Sequence, residues 1–403
     1  MELRVRLFSA RLRPGERTAA DAAADGGAGL TALAPARTVR ELLYLLIERD
    51  GHEGVGEVRL DRLHRLFGSD DYRPAAMIRA AMAAVAAVPW DRSPRVLLHE
   101  FPGLAAEWPV PVRMLVDTAL HDLAASEAGR PVSSLIGGGS EARLVRHTSQ
   151  LLRHEPLALS LARAERLVAR GFRRLKVVVG VGSPEADRER MRQLRARFGE
   201  AVSLSADAGG RWPAETALRN IEALAGYDID YVEQPAATGD FATLLSVAAQ
   251  SPVPVILDEG LSTLADVERI ASGGGRVWAN LKLVRFGGIS ATVRAAHVLA
   301  EARVPVMIGQ TQEGAVATAA ALHTADATKA RLVSLSGADE LADDPASGLV
   351  YGAGTVAVDA PAGLGVRFDP ARADLLMQAG PPSASSVPVI AAPVLAVPVA
   401  GAG

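Results

Sequence analysis

Asp207, Glu233 and Asp258 each close a short apolar run: Val202-Ser-Leu-Ser-Ala-Asp207, Ile229-Asp-Tyr-Val-Glu233 and Val253-Pro-Val-Ile-Leu-Asp258. Lys282 closes a fourth run, Trp278-Ala-Asn-Leu-Lys282, at a similar interval. Runs spaced one βα unit apart read as successive parallel strands, whose last residues meet at one rim of a barrel. Three carboxylates converging there make a site for a hard cation, and a lysine beside them supplies an acid/base group. Taken singly, each acid would read as a helix cap or turn residue and Lys282 as a solvated lysine. The even spacing of the set is what favours chemistry.

The elements that must position these residues follow from the pattern around them. From about Arg143 to Arg367, short apolar strands alternate with amphipathic helices. Leu175-Lys176-Val-Val-Val179 precedes a charged helix from Pro184 to Phe198, and the run ending at Asp207 precedes a helix from Glu215 to Leu224. The alternation continues to Val304-Pro-Val-Met-Ile308, which predicts a closed parallel barrel. The chain up to about Gly138 reads differently. Leu3-Arg-Val-Arg-Leu-Phe alternates as a strand, and Gly15 to Pro35 reads as a mobile loop. Thr38 to Asp50 is compatible with helix or strand, and the Asp50-Gly51 turn before Gly54-Val-Gly56-Glu57 favours a hairpin. Helices are expected over Ala75–Val88 and Val112–Gly129. From Gly380 the chain is Pro, Ala, Val and Ser without periodicity, which predicts disorder.

Composition narrows the partners. The 403 residues carry 43 Lys+Arg against 46 Asp+Glu, a net charge of −3, so no electrostatic case exists for nucleic acid or an anionic membrane. Cysteine is absent, which excludes disulfides and thiolate metal sites and is compatible with a reducing cytoplasm, the expected location. Met1-Glu-Leu-Arg-Val-Arg lacks the apolar core of a signal peptide, and no apolar stretch is long enough to span a bilayer. The expectation is a soluble, globular protein.

The ordered set of motifs resembles the enolase superfamily, in its muconate lactonizing enzyme-like and mandelate racemase-like branch. The hairpin Asp50-Gly51 to Gly56-Glu57 is similar to that family's capping strands. Ala119-Leu-His-Asp122-Leu, Gly129-Arg-Pro131 and Leu135-Ile-Gly137-Gly138 resemble its entry helix to the barrel, and Gly363-Leu-Gly365-Val its return to the cap. Asp207, Glu233-Gln234-Pro235 and Asp258-Glu259 fall where the family keeps three magnesium ligands, and Lys282 with Gly287-Gly288 matches its sixth-strand lysine. The resemblance implies an α/β fold: a (β/α) TIM-type barrel with an α+β N-terminal capping domain. Residues 1–138 would form the cap, 139–367 the barrel, 368–380 the return to the cap, and 381–403 a disordered tail. It also implies Mg²⁺ (or Mn²⁺) as cofactor, a small carboxylate substrate, a symmetric homo-oligomer, and a loop at residues 15–35 lying over the active site.

The implied chemistry is abstraction of the α-proton of a carboxylate to give a metal-stabilised enediolate. Lys282 would be the base. Lys176 would be catalytic, a donor to a carboxylate, or a paired structural charge. Asn280, Glu313 and Gly288 are candidates for contacting substrate. Glu313 resembles a late-strand acid of the family, or else closes a loop turn; Gly287-Gly288 would bind an anion through backbone amides, or form a βα turn needing positive φ. His121 and His147 read as structural, and Arg173-Arg174 as a solvated strand entry.

Three departures bear on the reaction. The family usually carries Lys-x-Lys on the second barrel strand, where this chain has Lys176-Val177-Val178. Positions 176 and 178 face the same side of a strand, so the second acid/base group is replaced by an apolar residue. Asp207-Ala-Gly209 stands for the family's Asp-x-Asn, and Gly260 for a frequent serine. A two-base proton transfer needs groups on both faces of the substrate, whereas a lyase, dehydratase or cycloisomerase can work with Lys282 alone. The alternatives are an amino-acid or dipeptide epimerase with another second base, and a catalytically inactive scaffold.

Overall fold

The computed structural model describes residues 2–13, 39–238, 241–273, 277–379 and 389–390. The expected loop at residues 15–35 and most of the tail lie outside these residues. Strand β1 (Leu3–Leu12), β2 (Arg40–Arg49) and β3 (His52–Arg59) form an antiparallel sheet. The β2–β3 turn is Asp50-Gly51, with φ of 47° and 84°, the pair of positive values that matches hairpin twist. Every residue from Leu42 to Ile47 is buried, so both faces of β2 are covered and no alternation is visible in its sequence. That explains why periodicity alone could not separate strand from helix.

The long helix Val110–Glu127 lies against β3. Gly54 and Gly56 permit this contact, because a Cβ at either would overlap the backbone carbonyls of Ala119 or Leu115. This helix and Pro74–Ala87 occupy the two stretches expected to be helical, with ends differing by two residues or fewer.

Strand β4 (Arg143–His147) leads to eight parallel strands: β5 (Gln150–Leu152), β6 (Arg174–Val178), β7 (Ser203–Asp207), β8 (Ile229–Glu233), β9 (Val255–Leu257), β10 (Val277–Lys282), β11 (Val306–Gly309) and β12 (Leu332–Ser334). A parallel bridge between Thr148 and Val333 brings the two edges together, giving the TIM-type barrel. Outward residues such as Leu175, Val177, Leu204, Ala206, Val232 and Leu281 join the main core under the helices. Inward, Tyr231, Ile256 and Met307 pack with Trp278 and Leu332 as a separate apolar layer. Two residues further along these strands stand Glu233, Asp258 and Asn280. The strand period of two thus lifts the polar set onto an apolar plug.

After the barrel come β13 (Ala346–Ser347), β14 (Leu349–Gly352), β15 (Thr355–Asp359) and β16 (Arg367–Phe368). Strand β17 (Asp374–Ala379) then pairs with β1, completing the cap sheet from the far end of the chain. Residues 389–390 pair with Met377 and Gln378. The tail, expected without structure, is therefore a strand at that point.

Buried carboxylates fasten the cap to the barrel. Asp122 accepts from the amides of Val55 and Leu364, at 2.9 and 2.7 Å. Glu57 accepts from Gly314, Val316 and Ala317 at the start of helix Ala315–Ala327. Among the described residues no helix is long and apolar enough to cross a membrane.

Candidate active site at the barrel mouth

Lys282, Asp258, Asp207 and Lys176 line one cavity of about 620 Å³ between the cap and the open end of the barrel. Each is the last or an inward residue of its strand, or follows it directly. Lys282 ends β10 and its Nζ lies 2.5 Å from Asp258 Oδ2. Lys176 reaches in from β6, 2.8 Å from Glu233 Oε2 and 3.3 Å from Asp207 Oδ2. Glu233 is fully buried below the cavity, and its other oxygen accepts from Asn280 Nδ2 at 3.0 Å. Asn280 thus supports a carboxylate from beneath and is not part of the cavity wall. Gly309 makes its position possible, since a Cβ there would overlap the amide.

Gln234 explains why Glu233 is followed by an amide. Its backbone sits at φ 40°, and its Oε1 accepts from the amides of Asp258, at 2.9 Å, and Gly260, at 3.2 Å. The side chain therefore fixes the turn that carries Asp258 and Glu259. Gly260 leaves Gln234 at ordinary contact distance from where a Cβ would lie, so the missing serine costs no packing.

Two expected contacts fall elsewhere. Gly288 does not line the cavity. The helix N-terminus behind it is already occupied by Asp117, whose Oδ2 accepts from Ile289 at 2.6 Å and Ser290 at 3.3 Å. Gly287 and Gly288 have φ of 91° and 116°, and a side chain at 288 would overlap Asp117. The pair is a turn dictated by backbone conformation, which corrects its assignment to substrate. Glu313 also lies outside the cavity lining: it accepts from the amide and hydroxyl of Thr311, closing a loop. His121 is buried against Asp117.

The electrostatics are those of crowded carboxylates. Burial, together with Asp207 and Asp258, pushes Glu233 up to about 8 despite Lys176. Burial and Asp258 push Glu259 up to about 7. Burial disfavours the charge on Lys282, but Asp258 and Glu259 outweigh it and hold its pKa above the ordinary lysine value. Lys176 is raised further, as Glu233 and Asp207 overcome its burial.

The family model described as enolase C-terminal domain-like matches residues 160–372, more than half of the chain. The chain belongs to the enolase superfamily. It is 30% identical to a D-Ala-D/L-Ala epimerase of Cytophaga hutchinsonii over 218 residues, 54% of this chain and 58% of that protein. It is also 30% identical to a chloromuconate cycloisomerase of Pseudomonas putida over 209 residues, 52% of this chain and 56% of the other. The matched segment thus spans little more than half the length of these curated relatives. Among solved structures, the muconate lactonizing enzyme from Pseudomonas putida superposes with a TM-score of 0.77 at 21% identity, covering 91% of this chain and 97% of that one. A dipeptide epimerase from Methylococcus capsulatus complexed with Mg ion superposes at 0.74 and 25% identity, covering 91% and 100%.

Set beside these enolase-superfamily relatives, the oxygen-only donor set fits a hard cation. Asp258 Oδ1 and Glu259 Oε2 are buried without a hydrogen-bond partner. Among the described residues no three acidic or histidine side chains are gathered closely enough to hold an ion as they stand. The physical reason is that the Lys176 and Lys282 ammonium groups sit between the carboxylates. Closing the acids around a cation would require the amines to withdraw.

Several residues that shape the cavity carried no periodic or motif signal. Arg62, Arg65, Arg153, Arg211 and Arg285 all line it. The Arg211 guanidinium lies over Gly209, where a Cβ would meet it at 2.7 Å, so the lost asparagine makes room for an arginine. One signal was present in the composition: the chain has only three lysines, at 176, 282 and 329, and two of them line the cavity.

Proposed function

We propose that this protein abstracts the α-proton of a small carboxylate substrate and completes a one-base elimination, dehydration or cycloisomerisation. The observation that carries the reading is Lys282 beside Asp258 at the barrel mouth, with Val178 on β6 lining the same cavity. Asp207, Glu233 and Asp258 would hold Mg²⁺ or Mn²⁺, which would supply positive charge to the substrate carboxylate as negative charge develops there.

Lys282 is the proton carrier. It stays protonated while Asp258 and Glu259 face it uncompensated, and approaches the range of a working base once those carboxylates are neutralised by a cation. Lys176 and Asn280 hold Glu233 from its two oxygens and are assigned positioning roles. Val178 moves no proton, so a proton taken by Lys282 returns to the same face or to the leaving group.

Similarity to a D-Ala-D/L-Ala epimerase favours a second reading, epimerisation with Lys176 serving the other face. Lys176 is the other lysine in the cavity lining, and it would first have to leave Glu233. Turnover in D₂O separates the two: loss of a leaving group, ring opening or closure, or α-deuteration without inversion supports the one-base reading, and inversion supports epimerisation. A symmetric homo-oligomer belongs to the same proposal.

A further inference from the structure

The cap wall of the cavity carries positive charge that the chain does not neutralise. Arg62 and Arg65 enter from the segment after β3, with Leu66, Phe67 and Gly68 beside them. Around Arg62, the guanidinium of Arg59 is committed to Asp61 at 2.6 Å. Arg40 and Arg153 share Glu340, at 2.8 and 2.6 Å. Each of these three guanidinium groups is thus already engaged by a carboxylate. Arg62 is the one left over: it makes no ion pair or side-chain hydrogen bond with any described residue, and its Nε is buried without a partner. Burial, with Arg59, Arg153 and Arg40 nearby, brings its pKa down to about 10. An uncompensated half-buried cation opposes folding, and an anion from outside would relieve that cost.

Lys176 and Lys282 on the barrel floor are saturated by their own carboxylates. Anionic ligand groups thus have two different places to go: a carboxylate at the barrel floor, by the reading above, and a further anion at the cap. We infer that Arg62, flanked by Arg65, forms a subsite for a second anionic group, carboxylate or phosphate-like, at the end of the substrate remote from the carbon acid. The inference deepens the proposed function and rests on it for the placement of the first carboxylate. Arg62 has the planar donor fork that suits either oxyanion.

The test is calorimetry at saturating Mg²⁺ with three unreactive probes: butyrate, glutarate and 3-phosphonopropionate. Glutarate or 3-phosphonopropionate should bind at least about tenfold more tightly than butyrate, the scale of a hydrogen-bonded charge pair. The tighter of the two identifies the second group as carboxylate or phosphate-like. Arg62→Met should abolish the advantage and leave butyrate binding unchanged. Because Arg62 has no partner to lose, its Tm should stay level or rise, whereas a purely structural arginine would give a lower Tm with ligand affinities intact.

Equal affinity for all three probes, or an advantage that survives in Arg62→Met, overturns the subsite. Butyrate binding that does not depend on Mg²⁺ would instead overturn the floor reading, whatever Arg62 does. No binding by any probe overturns both.

Discussion

Val178 stands directly opposite Asp207 across the β6–β7 ladder. Asp207 is a candidate metal ligand and Val178 is apolar, so the second-strand wall next to that carboxylate cannot exchange a proton. Lys176, two residues earlier, is drawn down onto Glu233. The asymmetry of the two faces is the basis for assigning all proton traffic to Lys282.

Placing a base at Val178 should therefore change the reaction course. Val178→Lys is expected to introduce α-carbon inversion on a substrate whose α-proton the parent protein exchanges without inversion. Chiral chromatography of product formed in D₂O checks this. Unchanged stereochemistry in the variant would mean that position 178 does not face the reacting carbon.

Lys176 is tied to stability as well as to the site. Lys176→Met leaves Glu233 fully buried with only Asn280, and removing one partner of a buried polar group costs about 1–3 kcal/mol. Denaturant unfolding without divalent metal should show a loss on that scale. Added Mg²⁺ should recover part of it by replacing the missing positive charge.

Metal linkage offers an independent readout. If Asp207, Glu233 and Asp258 bind one ion, Mg²⁺ at about a hundred times its Kd should stabilise the protein by ~2.7 kcal/mol. Asp258→Asn should remove most of that gain, and Asp258 Oδ1, now without a hydrogen-bond partner, is the atom best placed to explain why. Thermal melts with and without EDTA distinguish the outcomes. An equal Mg²⁺ effect in parent and variant would exclude Asp258 as a ligand.

The cap–barrel junction should titrate. Burial raises Asp122 to about 7, even though the Val55 and Leu364 amides favour its charged form. The folded state then holds a proton that the unfolded state, with its pKa of about 3.9, releases. Stability from this group is present below the unfolded value and declines as pH rises through about 4 to 7. Asp122→Asn should flatten that part of the stability profile. A parent protein whose stability rises across the same window, unchanged by the substitution, would contradict the assignment.

The barrel was legible because strand period and βα spacing are local. Asp207, Glu233, Asp258 and Lys282 each end a visible apolar run, and the structure brings them to one mouth. The hairpin was readable from Asp50-Gly51, whereas β2 was not readable from periodicity, because Leu42 to Ile47 are buried on both faces. Gly288 misled because an anion-binding turn and a turn filled by Asp117 look alike without the partner, which lies 171 positions away in sequence. The cavity arginines were invisible for a related reason. Arg62 is on a short cap segment and Arg211 in a turn, and only tertiary contact turns them toward one space.

Every proposed step at the barrel mouth begins with proton abstraction by Lys282. The direct measurement is incubation with Mg²⁺ in D₂O against dipeptides, N-acyl amino acids, sugar acids and cyclic carboxylates, read by mass spectrometry, with Lys282→Ala in parallel. α-Deuteration or product formation by the parent protein is the expected result. The variant should show a fall of about 10²–10⁴-fold, the usual contribution of a positioned acid/base group. Exchange or turnover that persists in Lys282→Ala would contradict proton abstraction by Lys282.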